Sequence, residues 1–420
     1  MLLVGGAAWE ERAEMPVALS DMSATAIGAH SILLIGGCVA HQLSCGEWCS
    51  YCPTISARAL EYNTVDDRWR EMTEAPRARY RHAAAYDGND VFVVGGRDVS
   101  DAIIDVVDVY AVTSNSWTTL MEVEISRSDL GAFVYEGWMY AYGGYDQNYT
   151  SLSGATVVHL ERGTLLEHEA PSLLEPRGDF GMLIHGTMAY AVGGFSHSDW
   201  CEPLRSVERI DLSADDPAWE LAIPLVTGRG DKSLAAVEDA LVAAGGEHNN
   251  GCETLSTPVK DVEVMWNFRG DWSVFTAIPE AKYRGAAVGL ENTVYNFGGQ
   301  SAQETTCPDS SAFCYPVTNH TWSLVVERGD DDDDDDSGGL SSGAMAGISI
   351  AIVIGVIVLG ILLLRYYRRH RAIALSKTFR DNALTFEMSE EKNTLQQGDE
   401  HKGDDKLMQP AGTATDLAAH

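Results

Sequence analysis

Six apolar runs along this 420-residue chain end on a Gly-Gly pair: ILLIGG at Gly37, VFVVGG at Gly96, MYAYGG at Gly144, MAYAVGG at Gly194, ALVAAGG at Gly246 and TVYNFGG at Gly299. Successive copies lie 48 to 59 residues apart. A unit that recurs every ~50 residues cannot bury both of its faces alone, so the copies must stack or close into a ring.

Each pair sits in a larger pattern. About 26 residues upstream stands a Trp in five of six copies, at Trp9, Trp69, Trp117, Trp219 and Trp272. A turn with Pro or Arg and a short apolar strand lie between, as in Trp69-REMTEAPRARYRHAAAYDGNDVFVVGG. After the pair come a variable polar loop and an alternating strand with an aromatic, at Tyr62, Tyr110, Trp266 and Tyr315. This pattern resembles the kelch repeat from Trp9 to Val326. The resemblance implies an all-β fold, a six-bladed propeller whose blades are four-stranded antiparallel sheets around a central channel. The residues agree with it independently. A Gly pair suits a crowded strand exit, and Trp and Tyr on the outer strands can fill the wedges between sheets. The third blade departs from the pattern, with Leu166 and His159 where Trp and Tyr are expected. Trp9 and Trp322 both read as outer-strand residues, one more than six blades need.

Residues 344–364, AMAGISIAIVIGVIVLGILLL, contain no charged side chain over 21 positions, long enough as a helix to span ~30 Å of hydrocarbon. The reading is a transmembrane helix. It divides the chain into a propeller ectodomain at 1–328, an acidic and Gly/Ser linker at 329–343, the membrane helix, and a polar, disordered tail at 365–420. The arginines of RYYRRHR after the helix place the tail in the cytoplasm and the propeller outside or in a lumen. Such a protein is expected to begin with a signal peptide. MLLVGGAAWEE has no basic region and too short an apolar stretch, so the expectation is a start that lacks its leader.

Cysteine and charge follow the same division. Cys38, Cys45, Cys49, Cys52, Cys201, Cys252, Cys307 and Cys314 all precede the helix, where the compartment permits disulfides. Expected pairings are Cys307 with Cys314 and two bonds inside the 38–52 loop. The sequons at Asn148 and Asn319 lie there too. The tail has nine basic and nine acidic residues, so the whole formal charge of −33 lies before it. Three loops read His-x-x-x-Cys, at His41/Cys45, His197/Cys201 and His248/Cys252. A zinc site from these loops is outweighed by disulfides, since the ligands fall on different blades. No metal or other cofactor is expected.

In kelch propellers, the resemblance implies, the loops after Gly-Gly and those before the innermost strand share a partner-binding face. Here the second set carries Arg77, Arg79, Arg127, Arg177, Arg229 and Arg284. Guanidinium groups around a channel mouth suit an acidic peptide or anionic glycan. The competing reading is that this Arg belongs to the repeat and pairs with a neighbouring blade. Arg-Gly-Asp occurs four times, from Arg177, Arg229, Arg269 and Arg328, and repeat geometry explains most of it. The seven aspartates from Asp330 to Asp336 read as a self-repelling spacer. Gly343, Gly347, Ala351 and Gly355 make a small-residue face that would allow homodimerisation in the membrane.

No residue set matches the copper site or the sialic-acid chemistry found in some kelch propellers. Nucleophile motifs, phosphate loops and BTB or F-box segments are missing too. The acidic charge disfavours nucleic acid. The sequence therefore points to a non-catalytic recognition or adhesion module with a protein or glycan ligand, at the cell surface or in the secretory pathway. A membrane-tethered intracellular scaffold is the second reading and a glycan-active enzyme the third.

Overall fold

Short runs with alternating burial, each ended by turn residues, build sheets of four strands in meander order. A computed structural model describes residues 7–328, apart from 40–41, 47–48, 121–124, 161–163, 166–169, 197–201, 249–256 and 302–313. The membrane segment 344–364, its small-residue face and the flanking linker and tail lie outside the described residues. Among the described residues no helix is long and apolar enough to cross a membrane.

Six four-stranded antiparallel sheets form the ring. Blade 1 comprises Ser23–Gly28, Ser31–Ile35, Ala59–Asn63 and Arg68–Glu71; blade 2 comprises Ala83–Tyr86, Asp90–Val94, Val107–Ala111 and Ser116–Leu120. Blades 3 and 4 begin at Gly131–Tyr135 and Gly181–His185 and end at Thr164–Leu165 and Glu220–Ala222. Blade 5 runs from Ser233–Val237 to Trp272–Ala277. Blade 6 takes Ala286–Leu290, Thr293–Phe297 and Thr321–Val325 from the end of the ring, and its outer strand is Trp9–Glu11. Trp9 pairs with Leu324 and Glu11 with Trp322, so the N-terminal strand closes the propeller. Trp322 is therefore a third-strand residue, and the seam needs no extra outer strand.

Two other readings shift. Cys314–Tyr315 pairs with Gln42–Gly46 in a small separate sheet; the third strand of blade 6 is Thr321–Val325. His159 pairs with Trp138 and Trp266 with Ala240. Each stands one residue beyond the position of Tyr62 and Tyr110, which Val158 and Met265 fill, and one residue along a strand reverses the face. His159 accordingly packs edge-on against Trp138, with ring centroids 4.5 Å apart.

The core lies between blades. Across the seam, Ile32, Leu34, Leu60 and Tyr62 meet Val288, Tyr295 and Phe297. The outer-strand Trp residues clasp the preceding blade: indole N–H groups of Trp69, Trp117, Trp219 and Trp272 donate to the carbonyls of Ala13, Thr73, Pro171 and Ile223. The second glycine of every pair donates its N–H to the next blade, Gly37 to Arg79, Gly96 to Arg127, Gly144 to Arg177, Gly194 to Arg229, Gly246 to Lys282 and Gly299 to Leu19. Glycine is required there: at Gly144 φ is +82° and a Cβ would lie 2.3 Å from the Ser128 carbonyl oxygen.

Candidate functional site: the channel mouth

The turn before each innermost strand follows one pattern of three residues. Blades 1 to 6 read Leu19-Ser20-Asp21, Arg79-Tyr80-Arg81, Arg127-Ser128-Asp129, Arg177-Gly178-Asp179, Arg229-Gly230-Asp231 and Lys282-Tyr283-Arg284. The first residue lies within the blade, the second bridges to the strand exit after Gly-Gly, and the third faces the channel.

At the first position the guanidinium is used inside its own blade. Arg79, Arg177 and Arg229 are fully buried. Their Nη1 groups donate to the carbonyls of Gly95, Gly193 and Gly245. Their Nη2 groups pair with Asp108, Glu208 and Glu263, themselves buried on the third strand. Glu208 also accepts the backbone N–H groups of Leu174 and Glu175, as Glu263 does those of Val226 and Thr227. Full pairing is what makes such burial tolerable. Arg127 has Thr156 in place of an acid, and burial lowers its pKa to about 10. Blade 1 substitutes Leu19 and Leu60 for the ion pair, both buried. Blade 6 has Lys282 in the Arg position and Trp322 in that of the acid, and the Lys282 ammonium makes no hydrogen bond. Burial pushes the Lys282 pKa down to about 7.

The six sequence-predicted arginines thus occupy three settings and form no guanidinium rim. Arg79, Arg127, Arg177 and Arg229 serve the blade interior, and half-exposed Arg77 supports Asp108. Only Arg284 lines the channel. The Arg-Gly-Asp copies at Arg177 and Arg229 dissolve in the same way: Arg is buried in the blade, Asp faces the channel, and Gly lies under an aromatic ring. A Cβ on Gly178 would sit 2.2 Å from the Tyr145 ring, and one on Gly230 2.0 Å from Phe195. The copy at Arg269–Asp271 lies in the exposed turn before Trp272; Arg328 ends the described residues.

The third position was not visible to sequence alignment on the repeated Arg, because Leu19 and Lys282 break that column. It forms a ring of Asp21, Arg81, Asp129, Asp179, Asp231 and Arg284, around a cavity of about 140 Å³. All six residues have φ between +49° and +58°, a region where Asp is among the better-tolerated side chains. Their backbones close on themselves. Arg81 N–H donates to Asp21, Asp129 to Arg81, Asp179 to Asp129, Asp231 to Asp179, Arg284 to Asp231 and Asp21 to Arg284, at 2.8 to 3.2 Å.

Charge around the ring is uneven. Arg81 lies between Asp21 and Asp129, 3.6 Å from each, and Arg284 between Asp21 and Asp231, at 3.7 and 2.8 Å. Asp129, Asp179 and Asp231 follow one another with no cation between. Asp179 receives a hydrogen bond of 2.9 Å from the Tyr145 hydroxyl. Burial, then the carboxylates of Asp231 and Asp129, push its pKa well up. Lys232 and His82 line the next layer. Burial lowers the Lys232 ammonium to about 7, with Arg177 and Arg229 adding to the effect, and burial lowers His82 to about 3.

The remaining site candidates divide by position. Cys38 and Cys52 form a disulfide with Cα atoms 5.7 Å apart, one bond inside the expected loop. Cys201, Cys252 and Cys307 lie outside the described residues, as do His41 and His197; the side chains of Cys45, Cys49 and Cys314 do too. Among the described residues no group of three His, Cys, Asp or Glu side chains is placed to hold a metal ion. Asn148 is exposed, whereas Asn319 Nδ2 donates to Glu14 and the Met15 carbonyl.

Closed ring, four-stranded blades and Gly-Gly exits define a six-bladed β-propeller. Residues 78–123 and 176–216, which fall in blades 2 and 4, match the Kelch motif. Alpha-scruin of Limulus polyphemus is 25% identical over 284 residues, covering 64% of this chain and 30% of its own. Kelch repeat and BTB domain-containing protein 1 of Cowpox virus is 23% identical over 266 residues, covering 63% of this chain and 44% of its own. The chain spans less than half the length of these relatives. The solved structure of YjhT superposes with a TM-score of 0.59 at 15% identity, over 76% of this chain and 97% of that one; at that identity the likeness shows the fold alone.

Proposed function

We propose that this protein is a non-catalytic binding module: a kelch propeller held outside the cytoplasm on one membrane helix, recognising a protein or glycan with the face that carries the channel mouth and the loops after Gly-Gly. The observation that carries the binding reading is the internal use of the repeat's own polar groups. Buried Arg–acid pairs and Trp clasps bind blade to blade, so the repeated signature is structural and recognition falls to the loops that vary between blades. The acidic channel mouth favours a partner that presents positive charge there, rather than the acidic peptide expected from the arginine count.

The topology reading is supported by the apolar run at 344–364 with arginines on its C-terminal side, the Cys38–Cys52 disulfide and the exposed sequon at Asn148. A glycosidase shift assay on the full-length protein in cells tests it, comparing wild type with Asn148→Gln and Asn319→Gln. The expected result is a shift that Asn148→Gln removes in whole or large part. No shift, together with chemically free Cys38 and Cys52, overturns the external placement. Binding is tested separately, by screening the full chain against arrayed cell-surface proteins and glycans and grafting the Asp98–Ala102 loop onto another blade; a ligand that survives loss of every Gly-Gly loop overturns the assigned face.

A further inference from the structure

Repeat geometry accounts for the Arg-Gly-Asp copies at Arg177 and Arg229 by burying the Arg, but it does not account for the copy at Arg269. That copy lies in the hairpin between the third and fourth strands of blade 5, Asp261–Trp266 and Trp272–Ala277. In a four-stranded meander this hairpin stands at the end of the blade away from the ring turns and the Gly-Gly exits. Arg269 and Asp271 are both exposed. Neither side chain makes a hydrogen bond or ion pair among the described residues, although Arg269 lies within electrostatic reach of Asp211 in blade 4.

The turn is held from outside. At the last position of the third strand, Asn63 in blade 1 and Asp211 in blade 4 close the hairpin with their own side chains, accepting the N–H groups of Val65 and Asp66 and of Ser213. Blade 5 has Trp266 there, and neighbours fix its hairpin instead. Asn267 N–H donates to the Asp239 carbonyl, and the Tyr190 hydroxyl of blade 4 donates to the Phe268 carbonyl at 3.2 Å. The Phe268 ring stacks on His185 of blade 4 with centroids 4.0 Å apart. Gly270 N–H closes the turn on the Trp266 carbonyl at 3.0 Å. Asn267 and Phe268 both have φ of +55°. A left-handed backbone is uncommon for a bulky residue and persists where the surroundings over-determine it. The result is an ordered turn that leaves a guanidinium and a carboxylate, two residues apart, pointing to no partner of their own.

We propose that Arg269-Gly270-Asp271 is a second binding site, for a cell-surface receptor that takes the guanidinium on acidic side chains and completes the coordination of a bound divalent cation with the Asp271 carboxylate. The guanidinium fork matches carboxylates in pairs, and carboxylate oxygen is the hard ligand that such cations take. Ordering of the turn before contact reduces what the receptor must immobilise. The site rests on the external placement proposed above, and it is separate from the channel mouth and the loops after Gly-Gly.

Attachment of cells that adhere to an immobilised Gly-Arg-Gly-Asp-Ser peptide tests the proposal, with the purified full-length chain in surface-captured lipid nanodiscs as the substrate. Cells are expected to attach in Mg²⁺ and to be released by EDTA or by the soluble peptide, but not by a peptide with Glu in place of Asp. Asp271→Glu and Arg269→Gln should each lower attachment at least about tenfold, with the melting temperature unchanged. His185→Ala removes the ring under Phe268 and leaves the tripeptide intact; it should weaken attachment about threefold. Arg328→Gln should leave it unchanged. Absence of attachment overturns the site, as does attachment that survives Asp271→Glu or ignores the soluble peptide. Loss through Arg328→Gln with Asp271→Glu neutral transfers the activity to the copy at Arg328 and overturns this one. Full attachment by His185→Ala overturns the role of the held turn. Purified protein gives these results whichever side of the membrane the propeller occupies, and the glycosidase assay decides that placement by itself.

Discussion

Removing one member of a buried ion pair differs from removing both, and this chain carries the two cases side by side. Blade 2 buries Arg79 against Asp108, while blade 1 places Leu19 and Leu60 at the same positions. Asp108→Leu alone strands a buried guanidinium, an expected loss of ~3–5 kcal/mol. Arg79→Leu with Asp108→Leu recreates the blade 1 arrangement and should recover most of that loss; urea midpoints of the three proteins decide it. Gly178→Ala should be as damaging as the single Asp108 change, because its Cβ would meet the Tyr145 ring at 2.2 Å. At this scale the sequence showed the recurrent Arg but hid its role. The acid that pairs with it lies 29 to 34 residues on, in a strand whose register only the folded sheet reveals. Counting Arg284 into that column, two residues out of step, also concealed the ring to which it belongs.

Among strands, the weak point is the seam, where the outer strand of blade 6 comes from the other end of the fold. Three residues hold it, Trp9 to Glu11, with Arg12 donating to Ser323. Deletion of residues 1–12 should therefore leave Thr321–Val325 as an open edge, lower the melting temperature and promote association through it. Thermal melts and sedimentation of the truncated chain check both outcomes. The alternating apolar runs and Gly-Gly exits made the blades legible in sequence, because a two-residue period and a strand-ending glycine are local. The seam was not, since Trp322 and Trp9 are both aromatic residues on short strands and nothing local says which is third and which is fourth. Cys314–Tyr315 was misplaced for the same reason: a short aromatic run reads alike in a blade and in a hairpin beside one.

For the whole propeller, two buried lysines make stability depend on pH. Burial lowers both Lys232 and Lys282 to about 7, against an ordinary 10.5. Between those values the unfolded chain binds more protons than the folded one, so stability falls as pH drops from the upper value toward 7. The melting temperature should rise from pH 7 to pH 9. Lys282→Leu, which copies Leu19, should raise it at pH 7 and raise it less at pH 9. The ring of backbone bonds around the channel has a further consequence. A hydrogen-bonded strand frays from its ends, but a closed hoop has no end, so exchange of its six amides with deuterium should require one concerted opening and show a single protection class. Because every N–H points the same way round, the peptide dipoles circulate and cancel. The field that a visitor to the channel meets is then written by side chains, and a single Asp→Arg substitution among the four aspartates and two arginines of the ring takes its formal charge from −2 to zero.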